Sequence, residues 1–240
     1  MFENLSDVAY IGDKLVKGKI RAVILRFHGL GATGFKTALD PDELEWANTG
    51  ALIVYPYCGP WAWMNHRTRM LIDEIVDRVY KDYELSNNVP LIITGGSMGG
   101  HAALNYARFS QHKPAAVVAL YPVTDTAYHA TERADLPRTF LIAYGLDNRP
   151  IADVFHENSP LYHVDEMPRV PYLIVHGDQD KAVNKAAHSD KFVKAMHKVG
   201  HDIEYIEASG MDHGPFVDFD LYRRYVEFVS RFIADDCART

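Results

Sequence analysis

The sequence predicts a doubly wound α/β fold. Strand-sized apolar runs recur along the chain, amphipathic helical patterns fall between them, and a glycine-rich turn joins one apolar run to a helix. Residues 21–28 (RAVILRFH) open the series, followed by 51–55, 91–94, 116–121, 171–176 and 203–207. Their apolar character is nearly unbroken, as expected of parallel strands covered on both faces. Between them, Leu71, Ile72, Ile75, Val76, Val79 and Tyr80 recur at helical spacing. Phe192, Met196 and Val199 repeat the pattern, and Tyr222, Tyr225, Val229, Phe232 and Ile233 mark a last helix.

Two segments break the rhythm. Residues 1–20 read as a short antiparallel edge hairpin, with Gly12-Asp13 or Lys17-Gly18 at its turn. Residues 123–169 form a short lid-like insertion of small helices, placed where an open α/β sheet covers its ligand crevice. No linker or repeat divides the chain, so residues 1–240 read as one domain.

Composition narrows the function. Hydrophobic residues make up 48% of the 240, enough for a core that needs no disulfide or metal to hold it. The formal charge is −7 with no basic block, which argues against a nucleic-acid partner. The two cysteines, Cys58 and Cys237, read as free thiols of a reducing compartment. With neither a signal-peptide pattern nor a span-length apolar run, the expectation is a cytoplasmic protein that does not enter membranes.

The chemistry begins at residues 91–104, LIITGGSMGGHAAL. A G-x-S-x-G pattern follows a buried strand and opens a helix, a turn that strains the serine backbone and exposes its hydroxyl. A Cβ at Gly95 or Gly99 would crowd the neighbouring strand and helix. No Lys-Ser/Thr pair follows, so this is not a phosphate loop, and G-x-G-x-x-G spacing is missing too. Ser97 is therefore a candidate nucleophile. A serine needs a base, and the base an orienting acid. Residues 172–183 (YLIVHGDQDKAV) run from a strand into a turn with two aspartates, Asp178 and Asp180. Residues 203–214 run from a strand into a loop holding His213.

These three segments, in this order, resemble the α/β-hydrolase superfamily, nearest to its prolyl oligopeptidase-like and dienelactone hydrolase-like esterases. G-G-S-x-G-G is matched by Gly95 to Gly100, H-G-x-x-D-x-x-V by His176 to Val183, and the late H-G by His213-Gly214. The resemblance covers residues 20–235 and implies an α/β-hydrolase fold with a mostly parallel sheet. It implies a triad of Ser97, Asp180 and His213, with Asp178 a turn residue. Phe27-His28-Gly29-Leu30-Gly31 resembles the loop that supplies one oxyanion donor. By that correspondence the donors are the backbone N–H groups of Leu30 and Met98, with Gly31 close enough to compete. His28, His101, His176 and His201 read as structural.

The implied reaction passes through an acyl-enzyme on Ser97 that water clears, and it calls for no metal and no cofactor. His156, His163 and Asp165 lack a ligand spacing. Trp61 and Trp63, in the Pro/Gly loop after the second core strand, are candidates for a substrate platform or for loop packing. Tyr121 is a further wall candidate, with Tyr128 and His129 behind it. The expected substrate is a small or medium soluble ester, such as a carbohydrate or phenolic ester. A small prolyl oligopeptidase-like peptidase and a non-catalytic binding member of the fold are the alternatives. Dienelactone chemistry fits less well, because serine stands where that family usually has cysteine.

Overall fold

A computed structural model describes residues 2–145 and 147–233. Seven strands lie in one sheet among the described residues: β1 (Ala9–Ile11), β2 (Ala22–Phe27), β3 (Ala51–Pro56), β4 (Leu91–Gly96), β5 (Ala116–Leu120), β6 (Tyr172–Gly177) and β7 (Ile203–Ala208). Their spatial order is β1-β3-β2-β4-β5-β6-β7, with every pairing parallel except β1 on β3. The helices are α1 (Pro41–Asn48), α2 (His66–Asp82), α3 (Met98–Phe109), α4 (Thr126–Glu132), α5 (Leu136–Tyr144), α6 (Ile151–Glu157), α7 (Ser189–Lys198) and α8 (Phe219–Ser230). This is the α/β-hydrolase fold. No described helix is long and apolar enough to cross a membrane.

Alternate residues of each strand feed opposite faces, and both faces are buried. Val23, Leu25, Ile93, Val117 and Ile174 pack under α2, α3 and α7 with Ile72, Val76, Tyr106, Phe192 and Met196. Ile24, Ile92, Val118, Leu173 and Val175 pack under α1 and α8 with Trp46, Tyr225 and Val229. A third cluster joins Trp63, Met98 and Val183 to Leu136, Phe140, Tyr144 and Val154. It seats the insertion, whose helices are α4, α5 and α6, against the N-terminus of α3.

The N-terminal expectation needs correction. Among the described residues up to 20 there is a single strand, β1, with Tyr10 opposite Tyr55. The would-be return strand is a 3₁₀ turn at Asp13–Leu15, after which Lys17 N–H donates to Ala47 O at 3.1 Å. One row of hydrogen bonds on the β3 edge is all that β1 needs, so no hairpin partner is required.

Two register pairs position the site. Phe27 lies opposite Gly95, so the loop after β2 and the turn after β4 emerge side by side. The chain passes from β2 outward to β3 and returns to β4, making this a topological switch point, where α/β folds open a crevice. Gly177 lies opposite Ala208, which sets the two loops after β6 and β7 against each other. A Cβ on Gly177 would stand 2.0 Å from Met211 O, so only glycine permits that approach.

Candidate active site

Ser97 occupies the turn between β4 and α3 with φ 58° and ψ −122°, a left-handed backbone rare for a residue with a side chain. Its neighbours enforce that conformation. A Cβ on Gly95 would lie 2.4 Å from Gly99 O, and one on Gly99 would lie 2.3 Å from Phe27 O. Ser97 N–H donates to Leu120 O at 2.9 Å and its carbonyl accepts from His101 N–H at 3.0 Å, pinning the turn at both ends. The hydroxyl makes no cap bond to its own helix.

Asp180 and His213 meet across the paired loops: Nδ1 of His213 lies 2.7 Å from Oδ2 of Asp180. The Asp180 side chain is fully buried, while that of His213 keeps 23% of its surface exposed. The other carboxylate oxygen, Oδ1, accepts from the Ala182 and Val183 N–H groups at 2.8 and 2.9 Å. Buried His176 approaches from behind, with Nε2 3.2 Å from Asp180 Oδ2 and 3.1 Å from Val183 O. Its Nδ1, 2.7 Å from Ser189 Oγ, accepts the hydroxyl proton, so Nε2 carries the ring hydrogen. Burial alone would raise the Asp180 pKa. Hydrogen bonds from His176, His213 and Val183, with the His213 charge, outweigh burial and hold the carboxyl well below the usual range. Asp212 ties the two loops together through the N–H groups of Lys181 and His213, at 3.3 and 2.8 Å.

The other aspartate of the turn faces away. Asp178 accepts from Gly210 N–H at 2.7 Å and from Ser209 Oγ at 3.3 Å, closing the turn after β7.

Ser97 and His213 line one cleft of about 380 Å³, with Leu30 and Gly96 beside them and Tyr121, His129 and Arg133 around the rim. Among the described residues no hydrogen bond joins Ser97 to His213, a contact that commonly tightens only when substrate arrives. Gly31 N–H is already committed to Pro60 O at 2.9 Å, whereas Leu30 N–H has no backbone partner among the described residues. Met98 begins α3, where the first N–H groups have no intrahelical acceptor.

Tyr121 forms a wall of this cleft, its ring 4.6 Å from that of His213, on a backbone strained to φ 37°. The tryptophans do not. Trp63 is 1% exposed, stacks on Phe140 at 4.3 Å and donates Nε1–H to Thr139 Oγ1 at 3.0 Å. Trp61 packs on the same cluster beneath the Arg138 guanidinium. Of the two readings of this loop, packing holds for Trp63, whose ring is covered by His101, His129 and Phe140, and the substrate-platform reading is corrected there. His101 is wholly buried, bonded to Val123 O and Asn105, and burial lowers its pKa to about 3. His28 bonds Gly29 O at 2.9 Å. Cys58 is a free thiol whose pKa burial pushes up to about 12, while Cys237 lies outside the described residues.

One group escapes the sequence reading. Glu132 sits between two buried histidines, with Oε2 2.5 Å from His129 Nδ1 and 3.0 Å from His188 Nε2. Its Oε1 accepts Asn184 N–H at 2.7 Å. These ligand-type atoms lie within 4.8 Å of one another, a spacing able to hold a metal ion. However, His188 Nδ1 accepts the N–H groups of Thr124 and Asp125, so its Nε2 carries the proton and has no lone pair to offer. The cluster acts instead as a clamp holding α4 to the loop that carries Asp180. The i, i+3 spacing of His129 and Glu132 on one helix was its visible signal; His188 comes from 56 residues away.

Burial would raise the Glu132 pKa, but its bonds to His129 and His188 lower it from 4.5 to about 2. Folding therefore gains from this carboxylate above pH 4.5 and loses the gain as pH falls toward 2. Glu132→Gln is expected to lower stability by about 1–3 kcal/mol at neutral pH, with the deficit shrinking below the unfolded pKa. Denaturant melts of both proteins at pH 7 and pH 3.5 check this; a deficit that grows with acid would contradict it.

Residues 74–236 match the prolyl oligopeptidase family. No curated protein matches the sequence at a significant level. Among solved structures, a puromycin-hydrolyzing peptidase of Mycobacterium tuberculosis superposes with TM-score 0.70 at 19% identity, over 90% of this chain and 35% of its own. An acylaminoacyl peptidase of Pyrococcus horikoshii gives 0.71 at 18%, over 91% and 38%. A thermophilic esterase of Thermogutta terrifontis gives 0.66 at 20%, over 93% and 87%. The chain thus spans about a third of the length of those peptidases. It belongs to the prolyl oligopeptidase family of serine hydrolases.

Proposed function

We propose that the protein is a carboxylic-ester hydrolase in which Ser97 is the nucleophile, His213 the general base and Asp180 its orienting acid. The observation that carries this is the Asp180–His213 bond of 2.7 Å opening onto the cleft that holds Ser97 on its strained turn. Asp180 accepts Nδ1–H of His213, which leaves Nε2 as the basic atom facing the cleft. His213 takes the Ser97 proton as Oγ attacks the acyl carbon. The oxyanion collects the N–H groups of Leu30 and Met98. The carbonyl then re-forms, the alcohol leaves with the proton from His213, and water releases the acid by the same steps.

The lining of the cleft favours esters over peptides with free amino termini. Arg26, Arg133, His129 and His213 line it, and no carboxylate among the described residues does. A buried ammonium would find no counter-ion there, at a cost of several kcal/mol. The test is a panel of p-nitrophenyl acetate and butyrate beside prolyl and acylaminoacyl amides, run with fluorophosphonate labelling. Ester turnover and labelling at Ser97 are expected. Rapid amide cleavage with negligible ester turnover would replace the esterase reading with a peptidase, and folded protein that does not label would favour a binding role.

A further inference from the structure

Tyr121 borders more than the catalytic cleft. That ring, with Arg26 and Leu120, also walls a second cavity of about 730 Å³, roughly twice the size of the catalytic cleft at about 380 Å³. The segment directly after His213 covers it. Phe216 stacks on Tyr225 at 5.3 Å, and Val217 and Phe219 form a lip with 65% and 72% of their surface exposed. Apolar side chains left this bare at a cavity mouth mark a binding surface.

Its acidic neighbours are committed elsewhere: Asp40 to Lys36, Asp42 to Arg26 and Tyr225, and Asp218 to the first N–H groups of α8. Arg26 and Lys36 offset Asp42 and Asp40, so the apolar walls of Leu120, Tyr121, Phe216, Val217 and Phe219 dominate what the chamber offers a ligand. The opposite end of the cleft is different. Val183 lines the cleft and belongs to the packed cluster of Trp63, Met98 and Phe140, which closes that side.

This asymmetry has a direction. His213 delivers its proton to the departing oxygen, so the leaving group lies on the His213 side of the scissile bond. We propose, resting on the reading of the cleft as an ester-hydrolysing site, that the chamber receives the alcohol half of the substrate. That half is a bulky, uncharged aromatic alcohol, and the acyl half is short. The acyl carbon–oxygen bond breaks, Ser97 keeps the acyl group, the alkoxide takes the His213 proton, and the alcohol leaves through the Val217–Phe219 lip.

Ethyl, benzyl and 2-naphthylmethyl acetate form the test series, since their alcohols depart with similar ease. kcat/KM is expected to rise about tenfold or more from ethyl to naphthylmethyl, the gain for burying two rings. Lengthening the acyl group of the naphthylmethyl ester to hexanoyl is expected to lower it. Phe219→Ala, at an exposed position, is expected to cut the naphthylmethyl-to-ethyl ratio about three- to tenfold, with Val217→Asp acting in the same direction. A flat alcohol series, or a ratio that Phe219→Ala leaves unchanged, overturns the proposal. Calorimetric binding of 2-naphthylmethanol to the Ser97→Ala protein separates the two layers. Saturable binding weakened by Phe219→Ala supports the chamber even if no ester is turned over, in which case the esterase reading alone falls. No saturable binding overturns the chamber.

Discussion

Removing the Ser97 hydroxyl is expected to lower kcat for p-nitrophenyl acetate by about 10⁴- to 10⁶-fold, with little change in fold. The residual rate would come from the Leu30 and Met98 amides and from substrate binding, neither of which Ser97→Ala touches. Ser97→Gly is expected to lose as much activity but to behave differently in a melt. The turn holds Ser97 at φ 58°, and a non-glycine residue there carries strain of about 1–3 kcal/mol. Alanine keeps that strain. Glycine relieves it but spends about 0.5–1 kcal/mol on extra unfolded-state entropy, for a net gain of about 1 kcal/mol. In a chain of this size that is about 2–4 °C in Tm. Thermal melts and initial rates on the three proteins decide the matter. A Ser97→Ala enzyme within tenfold of wild type would place the nucleophile elsewhere, and a Ser97→Gly protein less stable than Ser97→Ala would mean the turn stores no strain.

The inner strands and the strained turn at Ser97 are legible because their signals are local. The inner parallel strands are buried on both faces, so their own apolar runs announce them, and Gly95 and Gly99 are required by backbone atoms a few residues or one strand away. β1 was misjudged because three residues on an edge need no pattern of their own; β3 supplies the register. Trp63 was ambiguous for a related reason. Its position in a Pro/Gly loop says that it must be covered, but the cover is Thr139 and Phe140, more than seventy residues later. The Glu132 clamp joins α4 to a histidine beyond β6 in the same way. In the loop after β2, Leu30 and Gly31 are adjacent, and only the Gly31 bond to Pro60 O tells them apart.

Asp178 and Asp180 present the same difficulty in its sharpest form, since they share a turn and only the fold shows that they point apart. Asp180→Asn is expected to lower kcat by about 10³- to 10⁴-fold. The reason lies in the donors around the carboxylate. Oδ1 accepts two backbone N–H groups, so an asparagine keeps its carbonyl oxygen there and turns its NH₂ toward His213 and His176. His176 Nε2 then presents a hydrogen to another donor. His213 must accept at Nδ1, which moves its own hydrogen to Nε2 and leaves no base facing Ser97. Flipping the amide restores the His213 bond but sets NH₂ against two backbone donors, so neither orientation rescues the site. Asp178→Asn meets none of this. Its Oδ1 bond to Gly210 N–H survives in the amide, the position is exposed, and kcat is expected to stay within about threefold of wild type. Steady-state rates on the two variants, with circular dichroism to confirm folding, give the comparison. Equal losses would mean that the acid has been assigned to the wrong residue of the turn. A large loss at Asp180 alone would show that His213 depends on the buried carboxylate and not on the negative charge of the turn.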